Sequence, residues 1–240
     1  IFANGGSTYQ WLNSDSINNV NTNNPDIWPN SSSLYSVVVT NDNNCSDTAS
    51  INITVNQLPN VSAGNDQNIC FGDSSSLNAS GSAQNYVWNN GIIDGELFQI
   101  NSSQQYILTG TDINNCVNYD TVNIVSIDLP IIDIGEDLSI CVGDSVQLNA
   151  SGGENYTWSP ISFISNINIS NPFVNPVSPT QYFVLGTDNN GCSNIDSINI
   201  SINQLPNISV SNDTSLCYGD TIKIFANGGS TYQWLNSDSI

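Results

Sequence analysis

Residues 1–17, IFANGGSTYQWLNSDSI, recur without a change at residues 224–240. Seventeen identities at an offset of 223 leave no room for chance, so the chain holds one turn of a long tandem repeat and the start of the next. Position 224 lies inside the alternating run Thr221-Ile222-Lys223-Ile224-Phe225-Ala226, which reads as one strand. Residue 1 is therefore expected to start in mid-strand, in a window cut from a longer protein.

A shorter, diverged repeat lies within this unit. Leu-Pro returns at Leu58-Pro59, Leu129-Pro130 and Leu205-Pro206, at intervals of 71 and 76. These marks predict domains at 1–59 (lacking its N-terminal strand), 60–130 and 131–206, with 207–240 opening the next copy of the first.

Each domain carries the same signals in the same order. A short extended segment leads to Cys-x-Gly-Asp at Cys70, Cys141 and Cys217, where Gly-Asp marks a turn. A strand of period two follows, clearest in Ser145-Val146-Gln147-Leu148-Asn149-Ala150. Tyr-x-Trp comes next, ending at Trp11, Trp88, Trp158 and Trp234; a Trp at one fixed place in every copy of a β domain is expected to plug the core. From Trp to the next Tyr strand is 24 positions in the first and third domains and 18 in the middle one, which predicts a shorter edge there. The Tyr strands begin at Tyr35, Tyr106 and Tyr182 and end in Asn/Asp-rich hairpins, with Cys always ten residues after Tyr. Around seven short strands, with no helical periodicity, predict an all-β fold of tandem Ig-like β-sandwiches. Short linkers predict a stiff rod, about 110 Å per 223-residue unit at roughly 3.3 Å per strand residue.

Charge limits what such a chain can meet. One Lys, no Arg and no His stand against 21 acidic residues, a net charge of −20. Nucleic acid and anionic membrane surfaces, which need a cationic footprint, are excluded as partners. Enzymatic activity is not expected, since general bases and oxyanion clamps are mostly His, Lys and Arg. The surviving exception, a pair of carboxylates, finds no support, because Glu96, Glu136 and Glu154 fall in different parts of the pattern. No stretch is long and apolar enough for a membrane span.

The run from Cys141 to Pro160, Cys-x-Gly-Asp-Ser-Val-x-Leu-x-Ala-Ser-Gly-Gly-x-x-Tyr-x-Trp-Ser-Pro, followed by Asn171-Pro172 and the segment from Tyr182 to Cys192, resembles the PKD-like and Ig-like repeats of giant surface adhesins of gliding bacteria. The third domain matches throughout. The middle one lacks the Asn-Pro segment and the Gly before its Cys. The resemblance implies export by the type IX secretion system and a role as a gliding adhesin, a prey-catching filament of the grappling-hook kind or a spacer stalk. It implies an extracellular, cell-surface location.

Six Cys in such a chain point to disulfides. Pairing within a domain would join Cys70 to Cys116 and Cys141 to Cys192. In an Ig-like sandwich, however, the turn before the second strand and the turn after the sixth lie at opposite ends, roughly 23 Å apart for a seven-residue strand, and a disulfide needs Cα atoms within about 7 Å. End-to-end stacking offers a cross-junction alternative, Cys70 with Cys192, in which Cys45, Cys116, Cys141 and Cys217 pair with adjacent repeat units. A bond between chains stays open.

Asp42, Asp112 and Asp188 are read as one hairpin position, and as weak Ca²⁺ candidates. No dense ligand spacing is present, so no cofactor or metal is expected and turn chemistry is the preferred reading. Trp28, in Asp26-Ile27-Trp28-Pro29, has Asn175 as its counterpart and is a candidate lateral contact between chains, or an edge residue of its own domain. The function these features predict is a shaft segment of an extracellular filament or adhesin. Several chains would self-associate in it and carry a tip to a target cell or surface. The competing reading is a glycan- or surface-binding module on a monomeric stalk.

Overall fold

The computed structural model describes residues 1–12 and 15–235. It is almost wholly β, 42% strand and 1% helix, and divides into two compact units, Ile1–Ser126 and Ile127–Ile240.

In the first unit, β1 (Thr8–Trp11), β2 (Ser33–Thr40) and β3 (Ser46–Ile53) form an antiparallel sheet in the order β1-β2-β3. The period of two along β2 turns Tyr35 and Val37 inward, where they bury with Trp11 and Ile17. The same unit continues with β4 (Val61–Ser62), β5 (Gln67–Cys70), β6 (Ser74–Ser76), β7 (Ser80–Gly81), β8 (Asn85–Trp88), β9 (Leu97–Gln99), β10 (Gln104–Thr111) and β11 (Val117–Ile127). One sheet runs β5-β11-β10-β8, and the pairs β4-β7 and β6-β9 make up the other layer. Between them lies a core that includes Leu77, Trp88, Leu108, Val122 and Ile124.

The second unit repeats this plan. It contains β12 (Leu138–Cys141), β13 (Val146–Gln147), β14 (Asn155–Ser159), β15 (Phe173–Val174), β16 (Thr180–Thr187) and β17 (Ser193–Asn203). The main sheet is β12-β17-β16-β14; β13 pairs with β15 opposite it, extended by bridges Asp133–Ser151 and Ile164–Val174. Trp158, Tyr182, Val184, Ile198 and Ile200 fill the core. A two-stranded ladder follows, β18 (Ser209–Val210) with β19 (Ala226–Asn227).

Two layers of short, mostly antiparallel strands around a buried Trp make the repeat an Ig-like sandwich. The extended segment 131–141 does more than lead to a turn. Asp133 bridges to Ser151 in one layer, and the chain then crosses so that Leu138–Cys141 pairs with Ile200–Asn203 in the other. That second pairing is parallel, which the strand pattern did not announce. Gly135, at φ 80°, sits at the crossing, where a side chain would be strained; Gly64 holds the same place in the middle repeat at φ 84°.

Candidate functional site

The repeated aromatic pair is structural. Trp11, Trp88 and Trp158 are buried, Trp158 to 1% exposure. Each indole N–H has an acceptor: Trp11 Nε1 donates to the Thr22 carbonyl at 2.9 Å, and Trp158 Nε1 to that of Ile169 at 2.8 Å. Both acceptors lie eleven residues beyond the ring. The shorter middle repeat uses a side chain instead, Asp94 Oδ1 at 2.9 Å from Trp88 Nε1. Trp234 departs from the expected core role, for it is 54% exposed. Among the described residues, 207–235 supply only the β18-β19 ladder and no counterpart of β2 or β16 for the ring to pack on.

In the hairpins, one carboxylate oxygen of Asp112 accepts backbone N–H groups from Asn114 and Cys116, both at 2.8 Å. Asp188 Oδ1 does the same for Asn190 and Cys192, at 2.8 and 2.9 Å. In the first repeat Asn41 holds this place, with Oδ1 accepting from Asn43 and Cys45 at 3.0 Å. The assignment of Asp42 to that position is therefore corrected by one residue: counting six from Tyr35 reaches Asn41, and the side chain that caps the turn must stand there. An uncharged Asn serves because the task is to accept two N–H groups. Among the described residues no group of three or more His, Cys, Asp or Glu is placed to hold a metal ion, and no helix is long and apolar enough to cross a membrane.

Cys70 and Cys192 are disulfide-bonded. Cys45, Cys116, Cys141 and Cys217 are free thiols, all exposed except the half-buried Cys116. Trp28 is 57% exposed and stands apart from the core of its repeat. Its backbone N–H donates to the Ser16 carbonyl at 2.9 Å, as that of its counterpart Asn175 donates to Phe163 at 3.0 Å. The edge path is thus the same in both repeats, and only the side chain differs.

Beside β2 and β3 lies a groove of about 270 Å³, lined by Phe2, Ala3, Trp11, Val37, Val39 and Ile51 among others, where residues 1–59 lack a first strand. In the other repeats this place is occupied by the first strand. Val61 and Ala63 bury there in the middle repeat, and Ile132 and Ile134 in the third. Their seats are specific. A Cβ added at Gly110 would come within 2.4 Å of Val61 Cγ2, and one at Gly186 within 2.3 Å of Ile132 Cδ1. Two polar clamps hold each strand. Asp120 Oδ2 accepts from Ala63 N at 2.8 Å, and Asp196 Oδ2 from Ile134 N at 3.0 Å. Asp66 accepts from Asn123 N and Nδ2 at 2.8 and 3.1 Å, and Asp137 binds both nitrogens of Asn199 likewise. The hydrogen bonds from these Asn backbones, and then from their side chains, hold the Asp66 and Asp137 carboxyls below the usual Asp value of 3.8.

No protein family matches the chain, and no curated protein matches it. Among solved structures it is similar to the N-terminal eight Ig domains of Down Syndrome Cell Adhesion Molecule, at 14% identity and TM-score 0.31, over 94% of this chain and 41% of that one. It is also similar to the insect immune protein hemolin, at 12% identity and TM-score 0.32, over 81% and 67%. A third is the Ig domains 1–5 of Sidekick-1, at 12% identity and TM-score 0.28, over 82% and 52%. The chain spans about two fifths of the length of the first. At these scores the Ig-like assignment rests on the sheet order and the buried Trp of the repeats themselves.

Proposed function

We propose that this chain is a repeat segment of an extracellular structural filament or adhesin shaft, which self-associates and carries a tip to a cell surface or prey. The observation that carries this reading is repetition at two levels. One sandwich plan is built with its own buried core again and again, and the 223-residue unit itself begins anew with seventeen unchanged residues. Such an array presents every surface feature once per unit, so a weak contact multiplies along it. Trp28 is the feature best suited, being a large exposed ring that replaces Asn175 at a matched backbone site. Oxidation of Cys70 and Cys192 supports a location outside reducing compartments. It also supports a staple between these two cysteines across a junction between repeats. Four further free thiols, at equivalent positions, would then pair with adjacent units. With almost no cations, lateral contacts would rest on apolar patches and Asn/Ser hydrogen bonds.

Electron microscopy of a chain of several units tests the reading. Multi-chain fibres with an axial repeat of about 110 Å, lost on Trp28→Ser, are expected. Single threads at every concentration would refute self-association. Peptide mapping without reductant should recover a Cys70–Cys192 pair; a Cys70–Cys116 pair would refute the staple.

A further inference from the structure

The smaller layer of the third repeat turns an aromatic panel to solvent. β13 pairs with β15, and Ile164 bridges to Val174 on the far side, so three extended segments lie side by side. Burial alternates along them: Val174 is buried and Val146 and Ile164 are half-buried, while Ser145, Gln147, Phe163, Ser165, Phe173 and Asn175 are exposed. The register sets two rows on the outer face, Gln147-Phe173-Ser165 and Ser145-Asn175-Phe163. The two rings thus stand on a diagonal, with small polar side chains beside them. A cavity of about 300 Å³ lies over Phe163, Phe173, Ser145 and Asn175 among others.

Neither ring serves the core. Phe163 has φ 60°, a backbone conformation costly for so large a residue; its counterpart in the first repeat, at φ 57°, is Ser16. The conformation is held from outside, because the Phe163 carbonyl accepts from Asn175 N at 3.0 Å and from the Tyr182 hydroxyl at 3.4 Å. Yet the Phe163 ring is 47% exposed and that of Phe173 53%, so burial does little to offset the strain. The first repeat has no such panel. Asp26 stands at the place of Phe173, its carboxylate accepting from Asn18 Nδ2 at 3.1 Å.

The chemistry of the panel selects its ligand. No charged side chain lines the cavity, and the net charge of −20 repels anions. The side chains of Ser145 and Asn175 make no hydrogen bond among the described residues, and together they offer donors and acceptors. Two apolar rings beside free hydroxyl and amide groups match a neutral pyranose, which has C–H faces and a hydroxyl rim. In the gluco configuration every ring substituent is equatorial, which leaves both faces apolar, and β linkage keeps the chain flat enough to cross both rings. We propose that this panel binds neutral β-linked glucan, with sugar faces on Phe163 and Phe173 and hydroxyls bonded to Ser145 and Asn175. One such site in every 223-residue unit would let weak binding add along an array. This goes beyond the shaft reading and does not depend on it.

Titration of the chain with cellopentaose, followed by amide NMR, tests the proposal. Saturable shifts confined to the panel are expected, with Kd on the order of 1 mM. F163S installs the residue that the first repeat carries at this conformation, and F173S removes the other ring; each should weaken binding roughly tenfold while amides outside the panel stay in place. The proposal is overturned if cellopentaose gives no saturable shift, if both variants bind as the unaltered chain does, or if a polyuronate of the same length binds equally well. Panel shifts that follow protein concentration without sugar would assign the face to contacts between copies and overturn it too. Trp28→Ser should leave sugar binding unchanged, and F163S should leave fibre formation unchanged, so this reading and self-association fail separately.

Discussion

Gly186→Ala is a small change with a calculable effect. Gly186 lies in β16 at a backbone conformation open to any residue, so Ala meets no strain and gains about 0.5–1 kcal/mol relative to Gly in a strand. Against this, the new Cβ would stand 2.3 Å from Ile132 Cδ1, 2.8 Å from Cγ1 and 3.4 Å from Cγ2. Carbon atoms pack at about 3.5–4.0 Å, so Ile132 must retreat by more than an ångström from a core site where it is well buried. Overpacking of this kind costs about 1–3 kcal/mol, which set against that gain leaves a net loss centred on about 1 kcal/mol, within about 0–2.5 kcal/mol. Ile132→Val removes the atom in closest conflict and alone costs about 0.5–1.5 kcal/mol. If the conflict is the cause, the double variant costs less than the sum of the two by about 1 kcal/mol. Hydrogen exchange of the β16 and β17 amides, followed by mass spectrometry, reads the opening free energy of this repeat separately from the others. An unchanged exchange rate in Gly186→Ala, or strict additivity in the pair, would refute the claim that Gly186 is small in order to seat the first strand.

Other consequences are more briefly put. Trp158→Phe leaves the Ile169 carbonyl without its donor and should destabilise the third repeat by about 1–3 kcal/mol; Trp88→Phe should cost less, because its partner Asp94 also accepts from Ala79 N, and equal losses would argue against the difference. Asp188→Ala removes the acceptor of two turn N–H groups and should cost about 1–2 kcal/mol, with Asp188→Asn close to neutral because Asn41 already does this work in the first repeat. The Asp66 and Asp137 carboxyls are lowered in the folded state, so the stability they contribute is present above the unfolded value near 3.8 and fades as pH falls through the lower folded value; carboxyl NMR titration should place both midpoints below 3.8, and Asn199→Ala should return that of Asp137 towards it. Alkylation of the unreduced chain should add four labels, at Cys45, Cys141 and Cys217 first and at Cys116 more slowly.

What could be read from residues alone was what depends on local period and turn chemistry. Tyr-x-Trp, the Tyr strands and the polar hairpins each declare themselves within a few residues, and the sandwich class follows from their order. Even the shorter middle edge, 18 positions against 24, had its consequence in the replacement of a backbone acceptor by Asp94. The hairpin acid was misplaced because Asn41 and Asp42 are adjacent and chemically alike. Only the demand that one oxygen reach the N–H groups two and four residues on decides between them. The parallel pairing of β12 with β17 is non-local, and nothing within 131–141 distinguishes a strand that crosses between layers from one that stays, except a glycine at the crossing.

The glycine seat beneath the first strand was hidden for a related reason, since it depends on side chains that meet from distant parts of the chain. Gly110 and Gly186 are small because a first strand lies over them, and Gly110 has Ala83 within 2.9 Å of where its Cβ would be. The first repeat exchanges these sizes. Val39 is the larger residue, and the facing position is Gly6, where an added Cβ would come within 2.5 Å of Val39 Cγ1. Relative to the middle repeat, volume removed from one wall is returned on the other. Gly6→Ala should therefore disturb the first repeat as Gly186→Ala disturbs the third, and Val39→Gly should relieve only part of it, because the Thr40 carbonyl oxygen would still stand 2.7 Å from the new Cβ. If Gly6→Ala leaves the exchange of β2 amides unchanged, the close approach between these two positions is refuted.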